Sequence, residues 1–283
     1  MSEVNAAVFG PGATPANIQQ RRPFLPQYYG SIADLHSDGN SSYNSLQANI
    51  QKRFARGYTL QLAYTLSKSI DNGSLDNGEG SSISNPYNYH AGERGLSDFD
   101  RRNVVVINGV WDLPFLKNAQ SWASRLFGGW RLAGDMSYSS GAPFSIVAGR
   151  DIALYGPGRA SGGERPNLVG DPFLDTGRTR SALIQEYFAT GAFAFPATGH
   201  FGNSGRNILI GPGALNTDLA VLKRFRPWKS EPLGSLEFRG EAYNFLNFVN
   251  LGQPTNTMTS PAFGTITSSG AARVFQLGLR YDF

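Results

Sequence analysis

The sequence YNSLQANIQKRFARGYTLQLAYTLSK, from Tyr43 to Lys68, decides the fold of this chain. Between Asn44 and Phe54, the even-numbered positions are mainly apolar and the odd-numbered ones are mostly polar. After the turn 55–57, the same alternation resumes at Tyr58. A period of two residues is typical of a β-strand with one apolar face. The stretch therefore predicts an antiparallel β-hairpin.

The length of the two predicted strands favours a membrane over a soluble core. Each has about eleven residues, whereas strands of globular proteins usually have about five or six, and a tilted strand of about 9–11 residues crosses the hydrocarbon layer of a bilayer. Phe54 and Tyr58 flank the turn, while Tyr43 and Tyr64 lie toward the far ends. Two interfacial girdles of aromatic residues have this spacing. We therefore predict that the apolar face of the hairpin contacts lipid.

The composition favours a β protein of the outer membrane type. The 283 residues include 34 glycines, 16 prolines and no cysteine, and no run approaches the roughly 18 apolar residues of a membrane-spanning helix. The absence of cysteine excludes disulfides, thiolate zinc sites and cysteine nucleophiles. The net charge is +4, but Lys and Arg are spread along the chain. We therefore predict no nucleic-acid partner, because proteins that bind nucleic acids gather their positive charge into a patch.

Five more segments alternate between apolar and polar residues, as β-strands do. The links between successive strands are alternately short and long. The predicted strands are 102–113, 130–141, 216–225, 235–247 and 272–283. The short links 55–57, 114–129 and 226–234 alternate with the long links 69–101, 142–215 and 248–271. Outer-membrane barrels pair short periplasmic turns with longer extracellular loops. The predicted fold is all-β: a segment of an antiparallel transmembrane β-barrel with about seven to eight long strands.

The chain is predicted to divide into two regions. Residues 1–42 are rich in Pro, Gly and Asn, which predicts a loop in which Phe24 to Leu35 is partly extended. Residues 43–283 are the predicted barrel segment. Within it, a short helix is predicted at Asn118 to Phe127, and Phe144 to Val147 is predicted to prolong the fourth strand.

Alternation also assigns side chains to the two faces of the strands. Polar positions are predicted to face the barrel lumen: Gln47, Asn49, Gln61, Arg131, Asp135, Glu237, Arg239, Glu241 and Arg280. Aromatic residues near strand ends are predicted to form interfacial girdles: Tyr58, Trp111, Trp130, Phe275, Tyr281 and Phe283. Phe283 is in phase with the apolar positions of the last strand, so its ring is expected on the lipid side.

No catalytic, cofactor or metal site is predicted. His36, His90 and His200 are scattered among predicted loops and lack the spacing of metal ligands. The acidic stretch 71–79 resembles a calcium loop but has Gly at its third position, which leaves calcium binding there open. The charged residues of 98–102 are predicted to form a solvated rim of ion pairs.

Several short motifs of this sequence resemble one known family. They are Ser42–Gln47, Lys52–Phe54, Tyr64–Ser69, Arg101–Asn103, Gly129–Leu132, Gly202–Asn207 and Arg239–Asn244. Together they resemble the C-terminal part of the barrel of TonB-dependent outer-membrane receptors, especially the Oar-like group. The closing residues Arg280–Phe283 look like the aromatic-ended signal by which such barrels are recognised for assembly.

The resemblance implies the function of a longer parent protein in the outer membrane. A complete receptor of this kind has about 22 strands, a signal sequence and a plug domain, and the start Met1–Asn5 lacks the features of a secretory signal. The chain is therefore expected to be a fragment of a receptor that imports an extracellular small ligand. The implied partners are outer-membrane lipid, the barrel assembly machinery and, only through the missing N-terminal part, TonB.

Two other interpretations stay open at the level of sequence. A self-contained small barrel or porin-like channel would need an N-terminal strand to make eight, with side chains filling its interior. A soluble β-sandwich would act as a binding module or a hydrolase. Partitioning into membranes separates the sandwich from the two kinds of barrel.

Overall fold

Seven long β-strands are the framework of the protein in this computed structural model. The structure describes residues 2–34, 39–74, 84–88, 92–115, 126–156, 163–175, 177–225 and 234–283. The strands are β1 (Ser41–Ala55), β2 (Tyr58–Asp71), β3 (Asn103–Asp112), β4 (Trp130–Ser139), β5 (Ala214–Phe225), β6 (Ser235–Tyr243) and β7 (Val274–Asp282). Every strand predicted from the sequence is therefore present.

Each long strand pairs antiparallel with its neighbour in the chain, so the sheet runs from β1 to β7 without a crossover. The two-residue strand Gly95–Leu96 extends the sheet beside the end of β2. Within the described ranges no ladder joins β1 to β7, and the sheet is open. Because all seven long strands belong to one sheet in chain order, the fold is not a β-sandwich, which needs two packed sheets of such strands. The predicted all-β antiparallel class is confirmed.

The register brings the apolar positions of all the long strands onto one side. Leu62 of β2 lies opposite Ile50 of β1 and Ile107 of β3, and Leu279 of β7 lies opposite Phe238 of β6. We call this side the apolar face: it consists of the even-numbered residues of β1 as far as Lys52, after which the register of β1 shifts, the even-numbered residues of β2, β4 and β6, and the odd-numbered residues of β3, β5 and β7. The alternate positions of the same strand segments form the polar face.

The turn of the first hairpin is tighter than predicted. Ala55 belongs to β1, and the turn consists of Arg56 and Gly57, with φ of 56° and 87°. Positive φ at both central residues gives a two-residue turn whose twist matches that of the flanking strands. A Cβ atom on Gly57 would lie 3.2 Å from the Asp112 carbonyl oxygen. Conformation and space therefore both favour glycine at this position.

The predicted end of the sixth strand is wrong. β6 stops at Tyr243, not at Asn247. Asn244 adopts a φ of 49°, and its side-chain oxygen accepts the backbone N–H of Phe248 at 2.8 Å. A left-handed residue whose side chain bonds to the nearby backbone closes a turn and ends the strand.

The links that follow β2 and β4 also depart from the prediction. β2 continues to Asp71, so the loop predicted at 69–101 begins after that residue. Phe144 to Val147 does not prolong β4, because Pro143–Phe144 pairs instead with Leu209–Ile210. The chain therefore leaves the sheet after Ser139 and starts a separate small sheet.

The long links pack together at one end of the sheet. We call this region the loop cap: the described residues of 2–34, 72–102, 140–213 and 244–273. Its larger core contains Phe144, Ile146, Phe188, Ala192, Phe193 and Leu209, and its smaller core contains Ala6, Ala153 and Tyr155. Its other short elements are Asn167–Leu168 paired with Phe193–Ala194, the α-helix Arg180–Gln185, and the 3-10 turns Pro15–Asn17, Gln19–Arg21 and Thr190–Ala192. The predicted loops thus form packed structure with cores of their own.

Two predicted local features fall partly outside the described residues. Of the helix predicted at Asn118–Phe127, the structure describes only Leu126 and Phe127, which are helical. Of the extended segment predicted at Phe24–Leu35, the described part contains one strand, Ala33–Asp34, which pairs with Ser2–Glu3. Among the helices within the described ranges, none has the length and apolar character needed to span a membrane.

Candidate functional site

The polar face carries all nine residues that the sequence assigns to the lumen: Gln47, Asn49, Gln61, Arg131, Asp135, Glu237, Arg239, Glu241 and Arg280. Its charged side chains are largely paired. Arg239 Nε donates to Glu241 Oε1 at 2.7 Å along β6, and Arg131 Nε donates to Asp112 Oδ1 at 2.6 Å between β4 and β3. Opposite charges of the polar face therefore compensate each other within and between neighbouring strands.

A cleft of about 450 Å³ lies on the polar face. Asp135 and Asp218 stand opposite each other across β4 and β5, and Arg239 and Glu241 line the same cleft. The Asp218 carboxylate also accepts the backbone N–H of Asn244 at 2.8 Å. The lining therefore offers both hydrogen-bond donors and acceptors to a polar solute.

The predicted girdle residues lie at the ends of the strands. Tyr58, Trp111, Trp130, Tyr281 and Phe283 are at the end with the short links, and Phe275 is at the opposite end of β7. Tyr58 is directly opposite Trp111 in the register. The rings of Tyr281 and Phe283 stack with their centroids 6.1 Å apart.

A buried ionic junction joins the loop cap to the sheet. Arg206 forms an ion pair with Asp71 at the end of β2, and its Nη1 lies 3.4 Å from Asp98 Oδ1. Its Nε donates to the Glu93 carbonyl oxygen at 2.9 Å. The Arg206 and Asp71 side chains are only 7% and 8% exposed. One guanidinium therefore fixes the link 140–213 to the end of β2 and to the second half of the link 72–102.

The junction continues through a second buried arginine. The Arg165 guanidinium donates to the two carboxylate oxygens of Glu93 at 3.1 and 3.0 Å, and its Nε donates to the Ser204 carbonyl at 3.0 Å. Asn207 Nδ2 donates to the Leu96 carbonyl at 2.7 Å. Alternation does not predict these residues, although Ser204 and Asn207 belong to the motif Gly202–Asn207.

The solvated rim predicted at 98–102 is wrong for Asp100. This residue is 5% exposed, and its Oδ1 accepts the backbone N–H of Ser69 at 2.6 Å. Buried backbone N–H groups need an acceptor, and Asp100 supplies one near the end of β2. The carboxylate is therefore part of the strand's hydrogen bonding.

Two carboxyl groups meet inside the loop cap. The Glu164 carboxyl accepts the backbone N–H of Ile152 at 2.9 Å and that of Ala153 at 3.1 Å. Burial, followed by the hydrogen bond to Asp151, raises the pKa of Glu164 to about 8. Loss of a proton from Glu164 beside Asp151 is therefore disfavoured in the folded loop cap.

The part of the chain that the structure describes contains no group of three or more His, Cys, Asp or Glu side chains that could hold a metal ion. His200 is exposed, while His36 and His90 lie outside the described residues. In the calcium-like stretch 71–79, Asp71 is paired with Arg206, and residues 75–79 lie outside the description.

The two faces, the alternating links and the aromatic strand ends agree with a comparison against protein families. A family model described as an outer membrane beta barrel domain matches residues 1–276. The chain belongs to this family. As an outer membrane β-barrel domain, the protein resides in the outer membrane. Comparisons with curated proteins and with solved structures found no match.

The apolar face has the composition of the outward band of an outer membrane β-barrel domain. Leu277 is 77% exposed and Ile50 is 66% exposed, although both are large and apolar. A continuous apolar surface of this kind marks contact with a membrane or another apolar partner.

Proposed function

We propose that the chain forms the C-terminal wall and outer loops of a TonB-dependent receptor, which binds an extracellular ligand and imports it across the outer membrane. The observation that carries the proposal is the open sheet, in which β1 and β7 each present an unpaired edge within the described ranges. Unpaired backbone groups find no water in the hydrocarbon layer, so a membrane barrel must close. Further strands of a larger barrel would supply the missing pairing.

The two faces of the sheet support the two roles that the proposal gives to the barrel wall, contact with lipid and lining of the ligand's path. With the apolar face toward lipid, the polar face lines the path of the ligand, and Arg239 and Glu241 stand at the cleft along that path. The proposal assigns the chain no catalytic step and no cofactor. TonB would act through an N-terminal part, and the assembly machinery would bind the strand that ends at Phe283.

The loop cap supports a receptor surface at the end with the long links. Its core is packed, and it exposes large aromatic side chains, among them Tyr28, Phe99 and Phe173. A packed platform loses little conformational entropy when it binds a ligand. The motif Gly202–Asn207, one of those that resemble the receptors, builds the junction that holds this platform on the sheet.

The small-barrel alternative lacks support in the N-terminal region. Among residues 2–34, the strands are Ser2–Glu3 and Ala33–Asp34. Neither approaches the roughly 9–11 residues that cross the hydrocarbon layer. An eighth strand from this region is therefore absent from the described residues.

The coding sequence around the chain and the conductance of the full-length protein test the proposal. A plug domain encoded in frame upstream is expected, and the purified full-length protein should give no steady conductance in planar bilayers, because the plug fills the lumen. Energised uptake by cells should require TonB. A protein without an upstream plug that forms a steadily open channel would contradict the receptor and favour a porin-like function.

A further inference from the structure

A depression interrupts the apolar face near its centre. Gly109 of β3 and Gly134 of β4 are directly paired there, and the same row continues to Leu60 of β2 and Leu219 of β5. A Cβ on Gly109 would lie 2.9 Å from the Thr59 carbonyl oxygen and 3.4 Å from Leu60 Cδ1, and a Cβ on Gly134 would lie 3.1 Å from the Asp218 carbonyl oxygen and 3.5 Å from Leu219 Cδ1. The two glycines therefore form a floor between two leucine walls.

The neighbouring rows complete a groove of about 620 Å³. Ile107 and Met136 border it toward the loop cap, and Trp111 and Leu132 border it toward the first hairpin. An empty apolar groove loses the dispersion contacts of its walls. In a membrane this groove is therefore filled by hydrocarbon or by an apolar side chain.

Cationic groups stand at the hairpin end of the groove. Arg56 is one of the residues that line the groove, and Lys52 Nζ lies 3.8 Å from the ring centroid of Tyr58, another lining residue. Arg56 and Leu60 are separated by at most about 13 Å of extended chain. Asp135 and Asp218 also border the groove, but their side chains belong to the polar face.

We propose that the groove binds one phospholipid, with an acyl chain over Gly109 and Gly134 and the phosphate at Arg56. A phospholipid joins an apolar chain to an anion, as the groove joins an apolar floor to a cation. Arginine binds phosphate through parallel N–H donors. Tyr58 and Trp111 lie between the floor and Arg56, at the level where amphipathic rings meet the headgroups. The inference needs lipid on the apolar face and is independent of coupling to TonB.

The site can be tested by native mass spectrometry, which measures how much lipid the full-length protein retains. The protein is exchanged into detergent that contains either phosphatidylglycerol or diacylglycerol with the same acyl chains. Gly134→Leu fills the floor and should reduce retention of both lipids by about tenfold, the loss expected when a buried chain loses its contacts. The control Gly240→Leu adds the same side chain to the apolar face on β6, where the nearest contact of a Cβ is at 3.5 Å, against 3.1 Å at Gly134. Folding of the Gly134→Leu variant is therefore confirmed first by heat-shifted gel mobility. The Gly240→Leu variant should leave retention unchanged.

The variant Arg56→Gln tests the phosphate contact separately, because it leaves Gly109 and Gly134 unchanged. It should weaken phosphatidylglycerol retention by about tenfold, the worth of a charge-assisted hydrogen bond, and leave diacylglycerol retention unchanged. Arg53→Gln, an exposed arginine of the same hairpin, is its control. Equal lipid retention by the Gly134 and Gly240 variants would overturn the proposal. So would an Arg56 variant that retains phosphatidylglycerol fully, or a second copy of the protein bound at the groove in place of lipid.

Discussion

Arg206 shows how one side chain can hold distant parts of the chain together. Replacing Arg206 by Ala should lower the free energy of unfolding by about 3–5 kcal/mol, because Asp71 is then buried without its countercharge. The matched control is Arg131→Ala, whose partner is also an aspartate but whose side chain is 55% exposed. Exposed pairs contribute about 0–1 kcal/mol. Urea unfolding in lipid vesicles measures both losses, and equal values would refute the importance of burial.

Leu62 and Gln61 are neighbours on opposite faces of β2, so they test the assignment of the faces. Leu62→Arg should cost about 2–4 kcal/mol, because a charge near the middle of the membrane loses its hydration, whereas Gln61→Arg on the polar face should cost far less. The measurement is the free energy of unfolding in vesicles. Similar costs for the two variants would mean that the faces are assigned wrongly.

The raised pKa of Glu164 leads us to expect that the stability of the loop cap depends on pH. The folded pKa of this residue, about 8, lies above its usual value of 4.5, so the folded state binds the proton more tightly than the unfolded state. The stability of the cap should therefore fall as the pH rises from about 4.5 through about 8. Limited proteolysis around 151–165 at pH 6 and at pH 9 measures this effect. Glu164→Gln should abolish the difference, and Asp175→Asn, at a cap position outside this carboxyl pair, should preserve it.

Single residues also show what the sequence can and cannot predict. Alternation predicts the shared face of Gln61 and Arg239 because side chains of any strand alternate, whatever lies beside it. No local pattern predicts the pairing of Arg206 with Asp71, since 135 positions separate the two residues. The sequence singles out only the motif Gly202–Asn207, which contains Arg206, and it does not identify the partner of this arginine.

At the level of elements, the long strands are predictable and their ends are less so. The period of two is local, and it places every long strand. The end of β6 depends on Asn244, whose side chain turns the chain back to Phe248. The small sheet formed by Pro143–Phe144 and Leu209–Ile210 depends on two segments far apart in sequence. Tertiary contacts rather than propensity set these boundaries.

The last strand supplies a test that separates assembly from packing. Phe283 is 100% exposed and stacks on Tyr281, so its deletion should hardly change the melting temperature of the inserted protein. If the terminal aromatic is read during assembly, deleting it from the full-length protein should strongly reduce the amount in the outer membrane. Heat-shifted gel mobility measures insertion, and thermal unfolding measures stability. Normal insertion with a large loss of stability would leave Phe283 as a packing residue.

The whole molecule combines two regions that are stabilised in different ways. The loop cap buries its own aromatic core around Phe188 and Phe193, whereas large apolar side chains of the sheet's apolar face, such as Ile50 and Leu277, are exposed in the part of the chain that the structure describes. Among the residues with described positions, β1 and β7 also have open edges. Such edges recruit other strands. We expect the isolated chain to aggregate in detergent-free buffer, and light scattering after size exclusion, beside circular dichroism, tests this. A sharp monomer with full strand content would contradict the prediction.

The unbroken order from β1 to β7 has an evolutionary consequence. Each long strand pairs only with the strands that precede and follow it in the sequence. Duplication or loss of one hairpin would therefore change the circumference of the barrel wall, while the remaining strands would keep their register. Barrel width could therefore vary two strands at a time without redesign of the fold. The junction around Arg206 limits this freedom, because the links that it ties together would have to be inherited as one block.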